Sequence, residues 1–98
     1  MDLLNIKDCE MYKFQLYILK DNTNSIRAIE EIRRIFENEF HNQYTLDIID
    51  LFMYPEKAQE NSIFATPTLI KVSPAPIRRI IGDMSDRNKV LNALSLDD

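Results

Sequence analysis

Apolar residues fall into short blocks whose spacing changes along the chain. From Lys13 to Lys20, Phe14, Leu16 and Ile18 alternate with Gln15, Tyr17 and Leu19, so both parities are largely apolar. Side chains alternate across a strand, so this run predicts a central strand covered on both faces. The next residues, Asp21-Asn22-Thr23-Asn24-Ser25, carry short polar side chains that accept hydrogen bonds from the free N–H groups of a helix start. Beyond them Ile26, Ile29, Ile32, Ile35, Phe36 and Phe40 recur at threes and fours, the stripe of an amphipathic helix. Arg27–Glu31, Glu30–Arg34 and Arg33–Glu37 stand four apart on its wetter side. His41-Asn42-Gln43 closes the helix, and Thr45–Leu51 predicts a second strand with Leu46, Ile48, Ile49 and Leu51 at buried positions.

Pro55 suits the first position of a short helix, and Glu56 to Asn61 has the acidic first turn expected there. Thr68–Val72 and Ile77–Ile81 are β-rich runs separated by Ser73-Pro74-Ala75-Pro76, which reads as a hairpin. Pro74 and Pro76 each remove a backbone donor and limit pairing at its end. Ser85 is placed to cap a last helix in which Val90, Leu91 and Leu94 pack inward. Residues 1–11 lack a sustained period and read as a weakly ordered lead-in to a domain spanning 12–98. The element order is β-α-β-α-β-β-α, that of a thioredoxin-like α/β fold, and a right-handed crossover makes its first two strands parallel.

At 98 residues the chain supports one core and no second domain. Twelve basic against 16 acidic residues give a net charge of −4 and a pI near 4.9, the wrong sign for general binding to nucleic acid or anionic membranes. The charge-free run Asn61–Ile70 is ten residues long, half of the roughly 20 that a spanning helix needs. The N-terminus shows no apolar signal core. A soluble protein of a reducing cytoplasm is expected, and the lone Cys9 agrees with that.

Catalytic chemistry is hard to assemble from these residues. A thioredoxin-type oxidoreductase needs paired cysteines at the start of its first helix, where this chain has Asn22-Thr23-Asn24-Ser25. His41 has no second histidine to join it as a metal ligand. Gly82 is the only glycine, so no phosphate-binding GxxxxGK[ST] loop exists. Asp83, Ser85 and Asp86 are explained by strand exit and helix capping. The reading is a non-enzymatic protein with no cofactor and no metal.

Two segments carry a family resemblance. Leu16-Tyr17-Ile18 followed by Asn22-Thr23-Asn24-Ser25-Ile26-Arg27-Ala28 is similar to a strand, NTxxS-type cap and first helix. Ile63-Phe64-Ala65-Thr66-Pro67-Thr68-Leu69, then Pro74-Ala75-Pro76-Ile77-Arg78-Arg79-Ile80-Ile81-Gly82-Asp83-Met84-Ser85-Asp86-Arg87, resembles ATPTL and PxPxRRIIGDLSD signatures almost residue for residue. These are signatures of the KaiB family of circadian-clock proteins, and the resemblance runs from about Tyr12 to Leu94.

The resemblance implies a partner of a KaiC-like ATPase, with a KaiA-like protein or a histidine kinase as further contacts. It also implies two folds: a KaiB ground state, and a thioredoxin-like form that binds the ATPase. The segment from about Leu51 onward is the part rebuilt between them. Arg27, Lys71, Arg78 and Arg79 are the cationic residues expected at the partner surface, although strand alternation sends Arg78 and Arg79 to opposite faces. Thr66, Pro67, Pro74, Pro76 and Ala93 are the positions expected to bear on the fold switch, with a cis bond at Thr66–Pro67.

The chain departs from the family pattern in three places. Lys20-Asp21 replaces a glycine before the cap, Ala93 and Ser95 replace a Gly and an Asp near the last helix, and the sequence stops at Asp98, short of a tyrosine-bearing tail. Alanine favours a helix over glycine by about 1 kcal/mol, so the thioredoxin-like form is the expected resting state. A monomer or homodimer is expected in place of the family's tetramer. The competing reading is a redox-inactive, thioredoxin-like sensor module of a signalling histidine kinase.

Overall fold

The computed structural model describes residues 11–20, 22–41, 43–82 and 84–94. All of the expected lead-in but Met11, together with Cys9, Asp21, Asp83 and Ser95, lies outside the described residues. The elements are β1 (Tyr12–Ile18), α1 (Thr23–Phe40), β2 (Tyr44–Asp50), α2 (Glu56–Glu60), β3 (Thr68–Ser73), β4 (Arg78–Ile81) and α3 (Arg87–Ala93). This is the expected β-α-β-α-β-β-α order.

Four strands form one sheet in the order β2-β1-β3-β4. β1 and β2 are parallel, in a register that sets Tyr12 against Tyr44 and Ile18 against Asp50. β1 runs antiparallel to β3, which runs antiparallel to β4 as the expected hairpin. Pairing across that hairpin spans Thr68–Lys71 and Arg78–Ile81, leaving the proline-bearing connection outside the ladder.

β1 is central and covered on both faces. Phe14, Leu16 and Ile18 join Ala28, Ile32, Ile35 and Phe36 of α1, Leu69 of β3, and Val90, Leu91 and Leu94 at the last helix in the main core. Tyr17 points the other way and packs with Ile63 and Ile70, against which Ile49, Leu51 and Ala58 lie. The sheet thus has α1 and α3 on one face and α2 on the other. Phe14 and Phe36 are almost completely buried, with ring centroids 4.1 Å apart. Truncating a phenylalanine in such a core costs about 3–5 kcal/mol.

Several local expectations shift. α1 begins at Thr23, capped by Asn22, whose side chain accepts from the Asn24 N–H at 2.8 Å. Its buried stripe is Ser25, Ala28, Ile32, Ile35 and Phe36, while Ile26 is 55% exposed. The helix packs on its 25-28-32-35-36 line, and Ile26 falls beyond the edge of that face. Glu31 pairs with Arg34 instead of Arg27. Leu46, Ile48 and Ile49 are half-buried because β2 is an edge strand. The cap of α3 is Asp86, accepting from the Lys89 N–H at 3.2 Å, one residue later than Ser85.

Candidate functional site

The parallel β1-α1-β2 unit delivers the ends of β1 and β2 and the start of α1 to one end of the sheet. β3 enters from that same end because it is antiparallel to β1. Polar contacts fix the geometry there. The Asp50 carboxylate accepts from the Lys20 N–H at 3.1 Å and the Phe52 N–H at 2.9 Å, tying the two strand exits together. Ser25, buried at the first turn of α1, accepts from the Leu19 N–H at 3.3 Å. Asn22 and Ser25, at positions where a thiol protein would carry cysteines, thus serve the backbone.

Large apolar side chains stand exposed at this end. Phe52 is 73% exposed, and Met53, Tyr54 and Leu19 are also open to solvent. Sequence reasoning did not single them out. The signal was present, since three consecutive large apolar residues in a loop ahead of Pro55 contradict the usual polar composition of turns.

Arg27 and the Thr66–Pro67 segment come together at this end. They line a groove of about 390 Å³ with Asn24, Ala28, Glu31, Gly82, Met84 and Ser85. The Thr66–Pro67 bond is cis, as are Ser73–Pro74 and Ala75–Pro76. The Pro67 carbonyl accepts from the Gly82 N–H at 3.0 Å, and Gly82 has φ +100, a conformation that favours glycine. Arg27 is exposed and makes no ion pair among the described residues.

The other cations lie elsewhere. Lys71 pairs with Phe14 and Arg78, so all three share the face that carries α1 and α3. Lys71 is only 2% exposed. Burial, and then the neighbouring Arg78, pushes its ammonium below the ordinary 10.5. Lys71, expected at the partner surface, is thus buried beside the main core, where a carboxylate in its place would be costly.

Arg79 pairs with Ile70 and faces the α2 side. Its guanidinium donates to the Ser62 carbonyl at 3.0 Å and the Asn61 carbonyl at 3.1 Å. It thus holds the turn after α2, where Ser62 has φ 55. Of the four expected cations, Arg27 is at the candidate end, Lys71 and Arg78 are on the helical face, and Arg79 is engaged by the fold. Pro74 and Pro76 lie in the β3–β4 connection, and Ala93 is the last residue of α3.

His41 closes α1 with φ 54, its N–H donating to the Glu37 carbonyl. Among the described residues no three His, Cys, Asp or Glu side chains gather as a metal site, and no helix is long and apolar enough to cross a membrane.

The KaiB domain family model matches residues 15–96. The circadian clock oscillator protein KaiB of Prochlorococcus marinus strain MIT 9312 is 51% identical over 85 residues, covering 87% of this chain and 81% of that protein. Its namesake in Microcystis aeruginosa is 48% identical, covering 87% of this chain and 82% of that protein. The N-terminal domain of Synechococcus elongatus SasA shares the fold with a TM-score of 0.73 at 19% identity, over 91% of this chain and 88% of that one. Thioredoxin 1 of Thermosipho africanus gives 0.67 at 17% identity, over 85% and 90%. A family match over most of the sequence, on a thioredoxin-like framework whose first helix begins without a thiol pair, makes this chain a member of the KaiB family.

Proposed function

We propose that this chain is a non-enzymatic clock-type regulator that binds a KaiC-like ATPase in its thioredoxin-like form. The observation that carries the reading is the end of the sheet just described. Phe52, Met53 and Tyr54 are exposed together beyond β2, and Arg27 stands at the start of α1 with no ion pair among the described residues. Exposed aromatic and methionine side chains at the same end as an exposed cation are the composition of a protein-binding surface. The identity of about one half to proteins named circadian clock oscillator protein KaiB supports the choice of partner. The likeness to the SasA domain is one of fold alone, so the kinase-sensor reading draws no separate support from it.

In this reading the domain works by contact. The thiol positions of the fold are occupied by capping and backbone-binding residues, and ATP chemistry belongs to the partner. Fold switching of the segment after Leu51 belongs to the same proposal, with Thr66, Pro67, Pro74, Pro76 and Ala93 in the rebuilt part. Titration calorimetry of the chain into a purified cyanobacterial KaiC tests the proposal. Saturable binding is expected, and absence of binding by a correctly folded chain would overturn it.

A further inference from the structure

The groove beside Arg27 has a composition that the partner surface does not account for. One wall is a single line along α1, formed by Asn24, Arg27, Ala28 and Glu31 at helical spacing. The facing wall is Gly82 and Met84, and Thr66–Pro67 completes the lining. Its volume, about 390 Å³, lies in the range of small-molecule sites.

Charge and polarity inside the groove are unequal. Ala28, Pro67 and Met84 form a buried apolar floor, while Asn24 and Thr66 bring an amide and a hydroxyl. Glu31 shares the wall with Arg27, yet its carboxylate is paired with Arg34. The Arg27 guanidinium is thus left beside apolar surface with no ion pair among the described residues. A guanidinium presents a planar fork of donors that matches a carboxylate. Gly82 borders open space, since a Cβ there would meet nothing within 4 Å.

We propose that this groove is a binding site for a small organic carboxylate, with the carboxylate on Arg27 and a short apolar stem against Ala28, Pro67 and Met84. No covalent step is involved. The site shares Arg27 with the proposed ATPase-binding surface, but its test needs only the folded chain.

The test is an amide-resolved NMR titration of the full chain with hexanoate as the probe and with hexanol and inorganic phosphate as comparisons. Saturable shifts confined to Asn24, Ala28, Gly82 and Ser85 are expected with hexanoate. Arg27→Gln removes the charge-assisted hydrogen bonds to the carboxylate and should weaken hexanoate by about ten-fold. Arg27 is exposed, and an unchanged spectrum away from the groove will show that the variant folds. Hexanol should bind at least ten-fold more weakly than hexanoate, and so should phosphate. No saturable shift with hexanoate would overturn the proposal, as would equal binding by Arg27→Gln. Hexanol binding as tightly would remove the role of the charge, and phosphate binding as tightly would remove that of the stem.

Discussion

Arg78 stands directly across from Lys71 in the β3–β4 ladder, placing two cations side by side on the helical face of the sheet. Like charges directly opposite one another destabilise an antiparallel pair, and Lys71 is buried as well. Both effects lower its pKa, burial more than Arg78. The folded chain thus releases the Lys71 proton at lower pH than the unfolded chain. The penalty is complete below the folded pKa and disappears as pH rises through the unfolded value of 10.5. Lys71→Met keeps the stem and removes the charge, so it should match or exceed the natural chain in stability at neutral pH.

That advantage should shrink as pH approaches 10.5. Tyr17, through burial, and Tyr44, through burial and its bond to Glu37, have raised pKa values and act in the opposite sense, losing stability above 10.0. Their contribution cancels in the difference between the two chains. Denaturant unfolding at several pH values measures the gap, and a gap that widens with pH would contradict the assignment.

Arg79→Ala removes two hydrogen bonds to the Ser62 and Asn61 carbonyls and should cost about 1–2 kcal/mol. For a domain of this size Tm falls by about 4–8 °C for each kcal/mol. Arg79→Lys should recover only part of the loss, because an ammonium lacks the two-pronged geometry. A thermal melt unchanged by Arg79→Ala would make Arg79 an ordinary surface charge.

Phe52→Ala and Arg27→Glu should both weaken binding to the KaiC-like ATPase while leaving the thermal melt within about 0.5 kcal/mol of the natural chain, as exposed positions usually do. Truncating a central aromatic anchor costs more than about 1–2 kcal/mol of binding, a factor of about five to thirty in Kd. Charge reversal at Arg27 should act through association rate and salt dependence. Calorimetry beside stopped-flow association checks both, and affinity unchanged in both variants would move the contact surface elsewhere.

Ala93→Gly should weaken α3 by up to about 1 kcal/mol, the difference in helix propensity between the two residues. Where two folds differ by only a few kcal/mol, a change of this size shifts their populations. Faster amide exchange confined to the segment after Leu51 is the expected result. Uniform exchange across the whole chain would separate Ala93 from any fold preference.

The strands and the long helix were legible because each carries its period plainly. Phe14, Leu16 and Tyr17 announced a strand covered on both faces, and Ile32, Ile35 and Phe36 announced the helix that covers one of them. Ile26 misled because it continues the spacing of threes yet lies outside the packed arc. Lys71 misled for a related reason. Charge in a sequence suggests surface, but register with Phe14 and Arg78 carries this lysine under the helices, and only pairing reveals that. The separation of Arg78 from Arg79 followed from strand alternation alone. The groove was not legible, because its walls come from α1, the loop before β3 and the β4–α3 connection, which only the tertiary fold brings together.

Everything assigned to the C-terminal half, from the Arg79 contacts to the groove, depends on its being β-β-α in solution. Backbone 13C chemical shifts of the labelled chain test that directly. Extended shifts across Thr68–Ser73 and Arg78–Ile81, with helical shifts across Arg87–Ala93, are expected. Helical shifts across Thr68–Ser73 with extended shifts across Asn88–Leu94 would contradict the account and put the KaiB ground-state fold in its place.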